Sequence, residues 1–100
     1  MYIINVQFEW DDQKAQRNAL KHGILFEEAT TAFHDPEGLI AEDSAHSQQE
    51  QREWFIGESS ENRLLVIVFT RRGQAIRLIS ARPAGRKERR LYEQSKRISF

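Results

Sequence analysis

The chain has 100 residues, 39% hydrophobic and 30% charged, with a formal net charge of zero, the composition of a single globular domain spanning residues 1–100. It contains no cysteine, which removes disulfides, thiolate metal sites and thiol nucleophiles. The longest apolar run, LLVIVF at 64–69, is far too short for a membrane-spanning helix, and MYIINVQ lacks the features of an export signal, so the expected setting is the cytoplasm with no membrane partner.

In YIINVQFEW, residues Tyr2, Ile4, Val6, Phe8 and Trp10 alternate with mostly polar ones, the pattern of a half-buried strand. Asp11 or Asp12 then caps a helix reaching about His22. Ala15, Ala19 and Leu20 are its apolar stripe, and Gly23 ends it in a left-handed conformation. A short second helix over about Phe26–Phe33 has Glu27 and Glu28 in its first turn, where the helix dipole favours anions, and His34-Asp35-Pro36 stops it. Three extended runs follow: LIA at 39–41, REWFIG at 52–57 and RLLVIVFTRRGQAIRLISAR at 63–82. The last reads as a hairpin turning at Arg72-Gly73, which sets Thr70 against Ala75 and Val68 against Arg77 and predicts an antiparallel meander. Gly85 as N-cap, with Glu88 three residues on, starts a final helix over Arg86 to about Arg97. The order β-α-α-β-β-β-β-α is that of an α+β domain.

Zero net charge conceals an asymmetry. Residues 1–61 carry four Lys/Arg (Lys14, Arg17, Lys21, Arg52) against thirteen Asp/Glu, and residues 62–100 carry eleven against two (Glu88, Glu93), so the halves are −9 and +9. Either the halves attract each other within the fold or the basic half meets an outside polyanion. RLISARPAGRKERR, residues 77–90, puts six of those cations where a strand hands over to a helix start that is already positive. A phosphate held by Arg82, Arg86 and Lys87 would relieve that repulsion; an acid of the first half, such as Glu27 or Glu28, is the internal alternative.

Within the hairpin, Leu65, Ile67, Phe69, Ile76 and Leu78 form a wholly apolar face suited to helix packing. Thr70 and Arg77 interrupt the other face, so Arg77 is either an edge or snorkelling cation or a substrate-facing one. The segment AEDSAHSQQEQREW places His46, Glu50 and Arg52 in a polar loop entering a strand. A histidine and a carboxylate near arginines are the types needed for acid–base work on a phosphodiester. His22, His34 and His46 recur every twelve residues, which fits no metal-ligand spacing, and there is no phosphate-cradling glycine loop, so neither a metal nor a cofactor is expected.

Four stretches, FEWDDQKAQRNALKHGILFEEATTAFHDP, HSQQEQREWFIGES, LLVIVFT and RLISARPAGRKERRLYE, resemble the BrnT family of bacterial toxins, in order and over nearly the whole chain from Phe8 to Glu93. The resemblance implies a RelE-like fold, a twisted antiparallel β-sheet flanked by two N-terminal helices and a C-terminal helix. It further implies the toxin component of a type II toxin–antitoxin system: an endoribonuclease that cleaves RNA and inhibits translation. The implied partner is a BrnA-type antitoxin, in a heterotetramer of two toxins and two antitoxins that reaches operator DNA through the antitoxin.

Carried onto this sequence, the resemblance adds Lys21 and His22 of KHG and, with the readings above, gives His46, Glu50, Arg52, Arg77 and Arg82 as catalytic. Lys21, His22, Arg71, Arg86 and Lys87 would hold RNA. The corresponding chemistry is metal-independent attack by the RNA's own 2′-hydroxyl, with His46 and Glu50 sharing the base and acid roles. Leu25 departs from the family's usual serine and removes a helix cap worth about 1 kcal/mol; Gly85 replaces a usual threonine, and Arg71 and Pro83 also differ from the commoner residues. The rival reading is a non-enzymatic, basic-faced module that binds nucleic acid or protein.

Overall fold

A computed structural model describes residues 6–42 and 51–97, with eight elements in the expected order: β1 (Gln7–Glu9), α1 (Asp12–His22), α2 (Phe26–Ala32), β2 (Leu39–Glu42), β3 (Arg52–Glu58), β4 (Leu64–Arg72), β5 (Ala75–Pro83) and α3 (Arg86–Arg97). The carboxylate of Asp11 caps α1, accepting from the N–H groups of Gln13 and Lys14 at 2.8 and 3.1 Å. Those bonds, that of Lys14 foremost, hold its pKa below the ordinary carboxylate value. Gly23 ends the helix at φ 71°, its N–H donating to the Ala19 carbonyl at 2.9 Å, a conformation that costs a residue with a Cβ. At the start of α2, Leu25 makes no side-chain cap bond. Gly85 opens α3 with its N–H on Glu88 Oε1 at 2.8 Å, half of a capping box.

The strands form one five-stranded sheet in the order β1-β5-β4-β3-β2. β2 to β5 make the antiparallel meander, whereas β1 lies parallel to β5 over Gln7–Glu9, so the sheet is mixed rather than wholly antiparallel. α1 and α2 cover one face, where Ile24, Phe26, Ala29, Ala32 and Phe33 meet Phe55, Leu65, Ile67, Phe69, Ile76, Leu78 and Ala81. Val6, Phe8 and Trp10 pack against the same core, as their alternation predicts. The Phe33 ring lies 5.3, 4.5 and 5.4 Å from the rings of Phe8, Phe55 and Phe69. On the opposite face, Tyr92 of α3 packs on Ile56, Leu64 and Val66. Its hydroxyl donates to Asp35 Oδ2 at 2.7 Å, and burial, with that bond second, pushes the phenol pKa up. Among the described residues no helix is long and apolar enough to cross a membrane.

Two local expectations are corrected. Leu20 is 89% exposed, and the inward position of α1 belongs to Asn18. The Asn18 amide donates to the carbonyls of Ile24 and Ala81 at 2.9 and 2.8 Å and accepts from the Ala81 N–H at 3.0 Å. β1 pairs with β5 only as far as Arg77. Ala81 lies beyond that limit, and Asn18 makes the bonds a neighbouring strand would have made.

The hairpin turns one residue later than expected, which shifts the cross-strand pairing by two. Arg72 faces Ala75 and Thr70 faces Arg77, so the turn is Gly73-Gln74, with Gly73 at φ 59°. A type II′ turn takes its glycine first rather than second. A shift of two preserves the alternation, so the predicted apolar face stands. Further along, Phe69 faces Leu78 but Val68 faces Ser80, so Ile79 is the extra residue of a β-bulge.

Candidate functional site

The sheet face turned away from α1 and α2 carries the predicted arginines in ordered rows. Pairing across β1, β5, β4 and β3 sets Glu9, Arg77, Thr70 and Arg52 side by side; the next row holds Ser80, Val68 and Trp54, and the one after it Arg82, Val66 and Ile56. In a regular strand Arg77 and Arg82, five residues apart, would point to opposite faces. The bulge at Ile79 adds one residue to β5 and brings both onto the same face. Arg52, Arg77 and Arg82 therefore share one surface, and α3 covers only its Ile56–Val66 end.

A cavity of about 190 Å³ opens here, lined by Arg52, Trp54, Val66, Val68, Ile79, Ser80 and Arg82. The Trp54 Nε1–H is buried and, among the described residues, has no hydrogen-bond acceptor. The half-buried guanidinium of Arg77 stands 3.7 Å from the Glu9 carboxylate. The buried hydroxyl of Thr70 donates to the Gln51 carbonyl at 2.9 Å and so fixes where the chain enters β3. His46 and Glu50 lie outside the described residues.

The anion at the start of α3 is internal, though not one of the acids considered. Glu88 Oε1 accepts from Arg82 Nη1 at 3.2 Å and from the Gly85 N–H at 2.8 Å, and these bonds, Arg82 first, hold its pKa below the ordinary value. Glu28 instead binds the Arg63 guanidinium and the Ser59 hydroxyl. Arg86 and Lys87 are exposed beside the occupied helix start.

Lys21 and His22 line a second cavity, of about 330 Å³, between α1 and β5, together with Lys14, Arg17, Asn18, Ile79 and Ser80. Arg71 stands apart from all of these. It lies on the α1/α2 side, its Nε and Nη2 donating to Glu53 at 2.6 and 3.2 Å and its guanidinium 5.8 Å from the centre of the Phe69 ring. An ion pair accounts for its position.

The sequence reading missed Glu9, Trp54 and Ser80. Alternation did contain the first two, since Glu9 is offset by one from the apolar Phe8 and Trp54 by two from Arg52. Ser80 depends on the bulge and had no signal. Among the described residues, no three of the types His, Cys, Asp and Glu come together to hold a metal. The surface can instead hold an anion against two or three guanidiniums, beside a carboxylate able to accept a proton.

Residues 10–88 match the family model of the ribonuclease toxin BrnT of type II toxin–antitoxin systems. The 1.1 Å crystal structure of the Brucella abortus ribonuclease toxin BrnT superposes with a TM-score of 0.64 at 25% identity, covering 82% of this chain and 100% of that chain. No curated protein matches the chain in sequence.

Proposed function

Because the chain belongs to the BrnT family of ribonuclease toxins of type II toxin–antitoxin systems, we propose that it is a metal-independent endoribonuclease acting on the arginine face of its sheet and thereby inhibiting translation in the cytoplasm. The observation that carries this reading is the placement of Arg52, Arg77 and Arg82 on one partly open face. In the reaction the RNA 2′-oxygen attacks the adjacent phosphorus. The bond from phosphorus to O2′ forms and the bond to O5′ breaks, leaving a 2′,3′-cyclic phosphate and a 5′-hydroxyl. One of His46 and Glu50 takes the proton from the 2′-hydroxyl and the other delivers a proton to O5′. Arg77 and Arg52 offset the charge that builds on the phosphoryl oxygens, and Arg82 joins them when its guanidinium leaves Glu88. Lys21, His22, Arg86 and Lys87 hold the flanking backbone.

A BrnA-type antitoxin neutralises the toxin by covering this basic surface, in a complex of two toxins and two antitoxins whose antitoxin subunits contact operator DNA. The +9 half of the chain favours an acidic or amphipathic antitoxin segment. Affinity for the antitoxin should fall as salt rises; an affinity indifferent to salt would remove charge from the account.

RNA cleavage by the purified protein in EDTA tests the enzymatic reading. Undiminished cleavage with 5′-hydroxyl products is expected. Cleavage that appears only with an added divalent ion overturns metal independence, and no cleavage at all favours a binding module.

A further inference from the structure

We infer that single-stranded RNA lying on the arginine face continues across the Ile79 bulge into the cleft between α1 and β5, where Lys14 and Arg17 hold its backbone at a second subsite. This rests on the ribonuclease reading and extends its site. The two cavities share Ile79 and Ser80 as lining, so both border the bulge, one on each side of it. Lys14, Arg17 and Lys21 are spaced by three and then four residues, which places all three cations on one face of α1.

The half of the chain with net charge −9 has only four Lys/Arg, namely Lys14, Arg17, Lys21 and Arg52. Three line the α1 cleft and the fourth lines the adjoining arginine cavity. Arg63, Arg71, Arg77 and Arg82 each form an ion pair with a carboxylate, whereas Lys14 feels only the field of the Asp11 cap and, among the described residues, no ion pair is formed by Lys14, Arg17 or Lys21. Three like charges on one helix face repel one another, and an external polyanion would relieve that.

The junction also favours a single strand over a duplex. Trp54, Val68 and Ile79 present apolar surface there, beside the polar groups of Arg52, Ser80 and Arg82. An unpaired base offers both a stacking face and an edge to such a surface, whereas a duplex keeps its base faces inside the stack.

The probes are 2′-O-methyl RNAs, which lack the attacking hydroxyl: a long strand of about 16 nucleotides, a short one of about 4, and a duplex of the long sequence. Binding to the wild type and to the double variant Lys14→Ala/Arg17→Ala is followed by anisotropy at several salt concentrations. For the long strand, loss of two phosphate contacts should lower the log–log salt slope by about 1.4 and the affinity in 0.1 M salt by roughly 25-fold. The short strand should bind both proteins alike, and the duplex should bind the wild type more weakly than the long strand does. The inference is overturned if the variant binds the long strand as the wild type does, or loses long and short strands equally, while the wild type still cuts RNA. A duplex that binds as tightly as the strand removes the single-strand preference. A wild type that neither cuts RNA nor binds any probe sinks the ribonuclease reading and this extension together.

Discussion

The two faces of the central sheet come from the same strands by alternation, yet they have opposite chemistry. Beneath α1 and α2 the strands present a mainly apolar face, closed around the rings of Phe8, Phe33, Phe55 and Phe69, with the Arg71–Glu53 pair on the same side. Beneath α3 one end is closed by a single tyrosine on Ile56, Leu64 and Val66, with Arg82 beside it against Glu88, while the other keeps Arg77 and Arg52 in a row with Thr70, next to the row of Ser80 and Trp54. Burying charged guanidiniums costs more than the apolar area could return, so the second face stays partly open. The comparison teaches that stability should reside chiefly in the closed face and RNA chemistry in the open one.

The strongest challenge to this division is a cut in the closed face. Phe33→Ala removes the ring at its centre and should cost about 3–5 kcal/mol in urea unfolding, a large share of the total for a domain of this size. A loss below about 1 kcal/mol would place the stability elsewhere. Asn18→Ala should rank second, at about 2–3 kcal/mol, because it strands the Ala81 N–H and two carbonyls. It should also slow RNA cleavage by loosening β5 next to the bulge, which makes it the one core substitution felt on both faces.

Tyr92→Phe sharpens the comparison within the open side. Losing the bond to Asp35 should cost about 1.5 kcal/mol, and hydrogen exchange should quicken in α3 more than in β3 to β5. Uniform quickening would mean that α3 belongs to the same cooperative unit as the closed face.

The smallest effect concerns acid. Glu28 and Glu88 both have folded-state pKa values depressed below the ordinary 4.5 by their arginine partners. Their contribution is therefore complete above pH 4.5 and disappears as pH falls through the folded values. Because the partner arginines are substantially exposed, each contributes less than about 1 kcal/mol. Glu88→Gln should remove its own part of the acid decline in stability and leave that of Glu28.

All eight elements were legible because their punctuation is local: Asp11 and Gly23 around α1, His34-Asp35-Pro36 after α2, Gly85 with Glu88 at α3. What escaped depended on contacts distant in sequence. Leu20 read as part of a buried stripe because it is apolar, but the helix turns Asn18 inward to reach Ala81, 63 residues away. The parallel partner of β1 and the extra residue Ile79 likewise leave no mark in a single strand's pattern, though the bulge decides that Arg82 joins Arg77. Arg77 was visible as a cation interrupting a strand and Arg52 as part of a polar loop entering one. Arg71 read as a residue that holds RNA, but its strand turns it to the α1/α2 side, where it pairs with Glu53.

The division of labour is tested most directly by Arg77→Ala, measured for thermal unfolding and RNA cleavage on the same sample. Its guanidinium stands 3.7 Å from the partly exposed Glu9 carboxylate, so the melting temperature should stay within a few degrees of the wild type. Cleavage should fall about a hundred- to a thousandfold, as when one preorganised donor to a transition state is lost. A variant that melts normally and cuts RNA at the wild-type rate, or one that no longer folds, would contradict the assignment of the reaction to the open arginine face.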